Sequence, residues 1–274
     1  MRARLAPTIV LTLCLCACGG GDDPKEPPAG SGQETGTGTG TDDGGGSEPA
    51  VSRGVWSPDK GVARVTGTVH FKGDAPKRRT VDMGSDPVCQ ALHAEPIRTE
   101  VALVDDDGHL ANAFVWVRKG LEGWEFPVPT EVVAVTQEGC RYIPHVIGVQ
   151  VGQPFEVRNS DPNSHNVHAF PVKNKSFNRT QAEGSKAIEV KFTRPEVLLP
   201  MKCDLHGWMS TYIGVVEDPF FAVSAEDGTF DLGKLPPGEY QICARHEVFG
   251  LEKLTVTIAE GDEDQAIEFT FEEE

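Results

Sequence analysis

Four side chains in this chain carry donor atoms at a spacing that suits a metal ion. Cys203, His206 and Met209 follow one another at C-x2-H-x2-M spacing, and His165 offers a second imidazole upstream. Two imidazoles and a thiolate, with a thioether as a weak axial ligand, are the donor set of a blue copper site and suit both Cu(I) and Cu(II). The four residues therefore predict a site for one type 1 copper ion that exchanges single electrons.

Each donor also has a structural interpretation. Cys203 could instead form a disulfide with Cys243 or another cysteine, and Met209 could pack in the core as an adaptable apolar side chain. His168 lies three residues after His165, which on a strand places the two imidazoles on opposite faces. We therefore expect a structural role for His168.

A second candidate cluster is formed by Cys140 and His145, at C-x4-H spacing. Two donors do not complete a metal site, so we favour a structural role for His145. The acidic and imidazole side chains of Asp218, His246 and Glu247 show no paired arrangement that would suggest hydrolysis.

Short β-strands must position these donors, because apolar and β-branched segments recur along the chain beyond residue 57. Segments such as 62–71, 187–192 and 212–216 are separated by turns rich in Gly, Pro and Asp. No segment before residue 217 has a long helical period with caps. Many short strands at this spacing predict an all-β sandwich. Such a sandwich would carry three donors on one loop between adjacent strands and the fourth at the end of a facing strand.

Residues of about 97–217 resemble a cupredoxin of the plastocyanin and amicyanin group. The resemblance lies in the short 203–209 ligand loop, in the His165-Asn-Val-His168 stretch and in Asn159, six residues before the first histidine. It implies a Greek-key β-sandwich in which the two imidazoles and the thiolate are equatorial copper ligands and the thioether is the axial one.

Three further residues have expected roles at this site. By the same resemblance, Asn166 would brace the cysteine loop through hydrogen bonds and Asn159 would tie the two ligand loops together. Trp208 is a candidate for an apolar docking patch beside the exposed imidazole edge of His206, which would be the electron exit. Alternatively, Trp208 only closes the end of the sandwich.

The C-terminal segment 218–274 has a pattern of its own. Residues 227–232 (DGTFDL), followed by 235–240 (LPPGEY), resemble the carboxypeptidase regulatory-like, or transthyretin-like, β module. The segment could form a small sandwich by itself or complete the first domain. The opening strand of that family usually contains Gly-x-Val, which residues 67–69 contain, so the two ends of the chain could pack together. We expect a cupredoxin-like domain at 58–217 and a β module at 218–274.

Four cysteines lie outside the N-terminal leader. If Cys203 binds metal, the best candidate for a disulfide is Cys89 with Cys140, because both lie near polar, turn-like segments. Cys243 would then be a buried thiol on a strand. The sequence does not fix the pairing, and a disulfide that used Cys203 would exclude the copper site.

The N-terminus has the features of a bacterial lipoprotein. Residues 1–18 combine a basic start, a short apolar segment and a lipobox, in which Ala17 is the small residue before the modified Cys18. We expect lipidation of Cys18; ordinary signal cleavage near Ala17 is the alternative. Gly19 in place of Asp favours the outer membrane. Residues 19–57 have little to bury and are expected to form a disordered linker, which leaves the rest of the chain facing the periplasm of the cell envelope.

The formal net charge of the chain is −17. This charge argues against nucleic acid as a partner, because no basic stripe is present. An acidic surface suits a redox partner such as a basic c-type cytochrome or a dehydrogenase, since charge mainly changes the encounter rate. Solubility alone is the alternative explanation, and contact with a membrane is expected only through the lipid anchor.

Three functions from different classes are compatible with these features. The first is single-electron transfer by a membrane-tethered type 1 copper protein. The second is copper storage or delivery without redox turnover, and the third is a metal-free structural or carbohydrate-binding envelope lipoprotein. An enzyme is the least expected, because catalytic copper usually needs an open coordination position or a second metal.

Overall fold

A computed structural model describes residues 53–273, whose regular structure is almost entirely β-strand. The one α-helix of these residues, α1, covers Pro87–Ala91, and Pro58–Lys60 form a 3-10 turn. No helix in this range is long and apolar enough to cross a membrane. The strands are, in chain order, β1 (Gly54–Val55), β2 (Ala63–Lys72), β3 (Phe114–Lys119), β4 (Trp124–Glu125), β5 (Val133–Gln137), β6 (Tyr142–Ile143), β7 (Val146–Gln150), β8 (Phe155–Asn159), β9 (His165–Ala169), β10 (Phe177–Gln181), β11 (Ile188–Val190), β12 (Glu196–Lys202), β13 (Ser210–Val216), β14 (Phe221–Val223), β15 (Thr229–Leu235), β16 (Gly238–His246), β17 (Gly250–Ile258) and β18 (Gln265–Glu272).

The first sandwich contains the predicted ligand loop. One sheet has the order β10-β9-β12-β13-β7 and the other has the order β11-β8-β5-β6. Side chains from both sheets, including Val135, Phe155, Val167 and Ile213, share one buried core. The prediction of an all-β sandwich is confirmed, because alternating strands bury one face of each sheet against the other.

The second sandwich uses strands from both ends of the described range. Its sheets have the orders β14-β3-β16-β17 and β15-β2-β18, and their inner faces share another buried core. Strand β2 pairs in parallel with β18 and antiparallel with β15, while β3 pairs with β16. The packing of the two ends expected from residues 67–69 is therefore observed.

This strand membership corrects the expected contents of the two segments. The sequence analysis placed β2 and β3 within 58–217, yet both are hydrogen-bonded to strands of 218–274. The reason is that the C-terminal strands alone cannot cover both faces of a core, and β2 supplies the buried side chains of Val65, Val69 and Phe71.

The two sandwiches contact each other through a small apolar cluster. Phe114 and Phe221 lie over Gly148 and Gly214, which are partners on the neighbouring strands β7 and β13. A Cβ atom on Gly214 would lie 2.2 Å from the Phe114 ring, so glycine is required there for this close approach. The sheet that carries the ligand loop is thereby fixed against the second sandwich.

The predicted linker ends earlier than residue 57. Residues 54–55 form β1, which pairs with β4, and Trp56 is buried against the rings of Trp124 and Phe220. A large indole that finds an apolar partner orders the chain around it. The predicted signal peptide at 1–18, its lipidated Cys18 and most of the linker lie outside the described residues.

Candidate metal centre

Three of the four predicted donors lie on the loop that joins β12 to β13. Cys203 directly follows β12 and Met209 directly precedes β13. The backbone N–H of Cys203 donates to the Met209 carbonyl at 3.2 Å, and the Met209 N–H donates to the His206 carbonyl at 2.9 Å. These two bonds close the loop into a tight turn that holds its side chains at the end of the sandwich.

The fourth donor reaches the loop from a neighbouring strand. His165 is the first residue of β9, which lies beside β12 in the same sheet. The register pairs His168 with Lys202, so the start of β9 runs alongside the ligand loop. The expectation that the fourth donor lies on a facing strand is therefore wrong, because β9 and β12 are adjacent in one sheet.

The donor atoms of His165, Cys203 and His206 converge. The Nδ1 atoms of the two imidazoles lie 3.0 Å apart, and the Cys203 Sγ lies 3.7 Å from the His206 Nδ1. One ligand atom from each of the three residues lies within 4.8 Å of the others. All three residues are buried, with exposed fractions of 0%, 3% and 4% respectively.

A carboxylate faces the outer nitrogen of each imidazole. The Nε2 atom of His165 lies 2.8 Å from the Asp161 carboxylate, and the Nε2 atom of His206 lies 2.9 Å from the Asp86 carboxylate. Since a carboxylate only accepts hydrogen bonds, these partners assign the ring proton to Nε2 in both histidines. In a neutral ring Nδ1 is then an acceptor, and the two Nδ1 atoms face each other at 3.0 Å, so that a proton on the His165 Nδ1 can be donated to the His206 Nδ1.

This donor set fits a soft or borderline cation. Two nitrogen lone pairs 3.0 Å apart repel each other, and a shared proton or metal cation relieves that repulsion. Imidazole nitrogen together with thiolate sulfur suits copper or zinc better than magnesium or calcium. The residues present therefore fit the predicted copper ion: His165 and His206 would hold it through Nδ1, and Cys203 through Sγ.

The electrostatics of the centre favour a thiolate. Burial raises the pKa of the Cys203 thiol, but hydrogen bonds from His165 and from the backbone N–H of Asn166 outweigh burial and lower the pKa to about 7. Burial also disfavours a charged His165, yet the Asp161 and Cys203 side chains raise its pKa to about 9. The thiolate is the form that binds metal, so Cys203 is prepared for ligation.

Met209 is fully enclosed near the other donors. It is 1% exposed and belongs to the same buried core as Cys203. Cys203 carries a free thiol, whereas Cys89 and Cys140 are joined by a disulfide, the pairing favoured by the sequence analysis. Cys243 is a buried free thiol on β16. Within residues 53–273, therefore, no disulfide competes for the predicted copper ligand.

Two asparagines expected at the site make different contacts. Asn166 Oδ1 accepts the backbone N–H of Asp204, beside the cysteine, and its own backbone N–H donates to the Cys203 sulfur at 3.4 Å. Asn159 instead donates to the carbonyls of Asn163 and Gln181 at 2.8 and 3.1 Å. The expectation that Asn159 ties the two ligand loops is wrong, since its short amide is used within its own turn and for a contact with β10 of the other sheet.

Trp208 and His168 lie around the site without joining the donors. The indole of Trp208 packs against the His206 ring with centroids 5.1 Å apart, and its Nε1 donates to the Cys140 carbonyl at 2.9 Å. His168 is half-buried and its Nδ1 lies 3.0 Å from the Asp204 carboxylate. Trp208 thus covers the end of the sandwich, and His168 braces the loop from outside.

The edge of His206 is covered, contrary to expectation. Helix α1 begins after Asp86, whose Oδ1 caps the helix by accepting the N–H groups of Val88 and Cys89. The other oxygen, Oδ2, faces the His206 Nε2, and the Cys89 Sγ lies 3.6 Å from the same nitrogen. The predicted exposed electron exit is corrected: the segment that carries α1 lies over it.

His145 has its partner in the second sandwich. Its Nε2 forms a short hydrogen bond with the Glu247 carboxylate, and both side chains are almost fully buried. Glu247 follows β16 in the second sandwich, whereas His145 precedes β7 in the first. The pair therefore links the two sandwiches, in line with the structural role favoured for His145.

Asp86 and Asp161 are the residues that sequence analysis missed. Asp161 stands four residues before His165, in the turn after β8, so proximity in the chain could have suggested it. Asp86 precedes a proline, as expected for an N-cap residue. Its contact with His206 spans 120 residues, and no local pattern indicates it.

The chain matches no protein-family model, and no curated protein is similar to it. Several solved structures are similar to parts of it. A copper-containing nitrite reductase from Thermus scotoductus is 23% identical over 33% of this chain, with a TM-score of 0.30, and the match spans only 23% of the length of that reductase.

Two smaller proteins are also similar to part of the chain. A purple cupredoxin from Nitrosopumilus maritimus is 20% identical, with a TM-score of 0.26, over 30% of this chain and 98% of its own. Amicyanin from Paracoccus versutus is 20% identical, with a TM-score of 0.28, over 37% of this chain and 96% of its own.

Proposed function

We propose that this chain is a type 1 copper protein that carries single electrons in the bacterial envelope. The observation that carries the proposal is the convergence of one donor atom each from His165, His206 and Cys203 within 4.8 Å, with all three side chains buried. A bound copper ion would supply one-electron chemistry between Cu(I) and Cu(II) with little ligand movement. Met209 is the proposed axial ligand.

The chain's own residues prepare the site for that ion. The carboxylates of Asp86 and Asp161 hold each Nε2, which leaves each Nδ1 free to bind. The backbone N–H of Asn166 donates to the Cys203 sulfur and stabilises its thiolate form. Fixed donors support electron transfer, because rearrangement of the ligands would slow each change of oxidation state.

The direction from which a partner approaches is part of the proposal. Because Asp86 and Cys89 lie on the His206 Nε2, a redox partner would exchange electrons through this cover or beside it. Leu205 is 59% exposed and directly precedes His206, which makes it a candidate apolar contact. We propose a soluble c-type cytochrome or a dehydrogenase as that partner, with the net charge of −17 favouring a basic one.

The cellular setting follows the predicted leader. A lipidated Cys18 would anchor the protein in the cell envelope, and the following acidic, Gly-rich segment would allow the sandwiches to face the periplasm. We propose no enzymatic activity, because the donor set is enclosed and offers no open position to a substrate.

Copper storage is a second candidate function, favoured by burial. The three donor residues are at most 4% exposed, which suits retention of a metal as well as electron exchange. Storage requires tight binding of Cu(I) without reversible oxidation, whereas electron transfer requires both oxidation states in one geometry.

One experiment separates these functions. The purified, tether-free protein is loaded with Cu(II), and its copper content, visible and EPR spectra and cyclic voltammogram are recorded. One copper per chain, an intense visible thiolate-to-copper band and reversible one-electron reduction are expected for an electron carrier. A colourless, tightly held Cu(I) that cannot be oxidised reversibly would support storage, and the absence of copper binding would exclude both.

A further inference from the structure

Two carboxylates hold the proposed copper-binding imidazoles from outside, and they belong to different parts of the chain. Asp161 lies in the turn before β9 and contacts the His165 Nε2 at 2.8 Å. Asp86 caps α1 and contacts the His206 Nε2 at 2.9 Å. Both contacts are to the nitrogen that would not bind metal, which is the usual arrangement of a metal-binding histidine and its outer partner.

The two carboxylates are each hydrogen-bonded to one half of the same disulfide. The backbone N–H of Cys89 donates to Asp86 at 3.2 Å, and the backbone N–H of Cys140 donates to Asp161 at 2.8 Å. The disulfide joins Cys89 to Cys140, and both residues are fully buried. Two hydrogen bonds and one disulfide thus form a continuous connection between the two carboxylates.

Asn163 adds a second connection. Its side-chain amide donates to Asp86 Oδ2 at 2.7 Å, and its backbone carbonyl accepts a hydrogen bond from Asn159 in the turn that contains Asp161. Helix α1 has only five residues and cannot hold Asp86 in place by its own stability. The disulfide and Asn163 supply the support that the helix lacks.

We propose that Asp86, Asp161 and the Cys89–Cys140 disulfide form a clamp that fixes His206 and His165 with both Nδ1 atoms turned toward the metal. This inference rests on the proposed copper function. Asp86 and Asp161 are positioning residues: they act on the metal only through the imidazoles. The clamp determines how tightly the centre retains its ion.

The role of Asp86 in the clamp is tested by Asp86→Asn. An amide placed at this position can donate a hydrogen bond to the Nε2 of His206, which moves the ring proton to Nδ1 and blocks the metal-binding nitrogen. Asp86→Glu keeps a carboxylate and should rescue the wild-type state. Asp82→Asn is the matched control, since Asp82 lies on the same segment and accepts a hydrogen bond only from the Gly84 backbone among the described residues.

The first measurement uses the metal-free protein, so it does not depend on copper binding. The ¹⁵N chemical shifts of the His206 ring report which nitrogen carries the proton. We expect a protonated Nε2 in the wild type, in Asp82→Asn and in Asp86→Glu, and a protonated Nδ1 in Asp86→Asn. The same His206 tautomer in wild type and Asp86→Asn, with unchanged backbone amide spectra, would overturn the proposal.

The second measurement is the copper affinity by competition with a chelator. Loss of an outer hydrogen-bond partner typically weakens metal binding about 10–100-fold. We expect a decrease of that size for Asp86→Asn and less than about twofold for Asp82→Asn, which keeps every such partner. Failure of the wild type to bind copper would reject the proposed function, while the ¹⁵N result would still decide the clamp.

The disulfide is tested by the double variant Cys89→Ser/Cys140→Ser. Its backbone amide spectrum first establishes that the sandwiches are folded. We expect copper to dissociate at least about tenfold faster than from the wild type, because both carboxylates lose their shared support. If the folded variant releases copper at the wild-type rate, the disulfide is not part of the clamp.

Discussion

The Nδ1 atoms of His165 and His206 face each other at 3.0 Å, while the Nε2 atom of each ring faces a carboxylate. This arrangement determines that a cation can bind between the two rings, and that its binding changes the protonation of the imidazoles and of Cys203. A cation between the rings replaces any proton shared by the two nitrogens, and a thiolate at Cys203 requires loss of the thiol proton. Copper binding should therefore release protons, as expected for a site with a cysteine ligand.

Replacement of Cys203 by serine tests the central ligand. Cys203→Ser removes the sulfur whose lone pairs give the thiolate-to-copper band, and a serine hydroxyl stays protonated near neutral pH. We expect loss of the visible band and a decrease in copper affinity of more than about 100-fold, beyond that caused by loss of an outer partner. Optical titration with Cu(II) measures both effects.

The control for that experiment is His168→Ala. His168 contacts the Asp204 carboxylate and lies outside the group of converging donors, so its removal should leave the copper spectrum intact. Loss of the band in His168→Ala would mean that the wrong imidazole has been assigned. An unchanged band in Cys203→Ser would exclude thiolate ligation.

Met209→Gln tests the axial position. An amide oxygen is a harder donor than a thioether and stabilises Cu(II) relative to Cu(I), so the reduction potential should fall while the thiolate band remains. Voltammetry of the loaded variant measures this shift. A reduction potential equal to that of the wild type would mean that Met209 does not bind the ion. Met209 would then serve only as a core side chain, which its 1% exposure also allows.

The ligand loop could be predicted from the sequence because its information is local. Cys203, His206 and Met209 are held by hydrogen bonds within seven residues, and the flanking strands have clear alternating patterns. The contact between His165 and this loop depends on strand order, which the resemblance to a known family supplied. The three donors of the ligand loop can therefore be predicted from their spacing alone.

The cover over His206 could not be predicted, for a physical reason. Asp86 is a good N-cap by type and by its following proline, but capping concerns only the next few backbone groups. Its second oxygen is directed at His206 by a disulfide that closes a 51-residue separation. The packing of the two ends of the described range is expected from residues 67–69, but no periodicity specifies that β2 pairs with β18 in particular.

The stability of the fold should depend on Asp218 in a pH-dependent way. Asp218 is 8% exposed, and burial, together with the charge of Glu217, raises its pKa to about 7, against the usual value near 3.8. A folded-state pKa above the unfolded value means that the contribution of Asp218 to stability is most favourable below pH 3.8, falls as the pH rises toward 7 and is least favourable above it. A displacement of this size is worth at most about 4 kcal/mol.

Asp218→Asn removes this cost and keeps the oxygen that accepts the Phe220 N–H. We expect the variant to be about 2 kcal/mol more stable than the wild type at pH 8 and equal to it at pH 3, because both side chains are then neutral. Urea unfolding at the two pH values measures the difference. Glu183→Gln, at an exposed position that is not among the groups acting on Asp218, is the control and should change stability by less than about 0.5 kcal/mol. A stability gain for Asp218→Asn that is the same at both pH values would contradict the assignment.

The buried pair of His145 and Glu247 should contribute to holding the two sandwiches together. Burial raises the pKa of Glu247, but the hydrogen bond and charge of His145, together with a hydrogen bond from Tyr212, hold the pKa below its usual value of 4.5. A depressed folded-state pKa means that this stabilisation is present above pH 4.5 and is lost as the pH falls through the folded value.

Removal of one partner from a buried pair leaves the other without compensation, at a typical cost of about 3–5 kcal/mol. We expect Glu247→Gln to lower the free energy of unfolding by about 3 kcal/mol at pH 7, with the variant approaching the wild type at pH 3. His109→Gln, which breaks a more exposed pair with Asp105, should cost less than about 1 kcal/mol. Equal losses in Glu247→Gln and His109→Gln would show that burial adds nothing to the pair of His145 and Glu247. A double-mutant cycle with His145→Gln and Glu247→Gln measures the interaction directly, as the difference between the double variant and the sum of the two single variants.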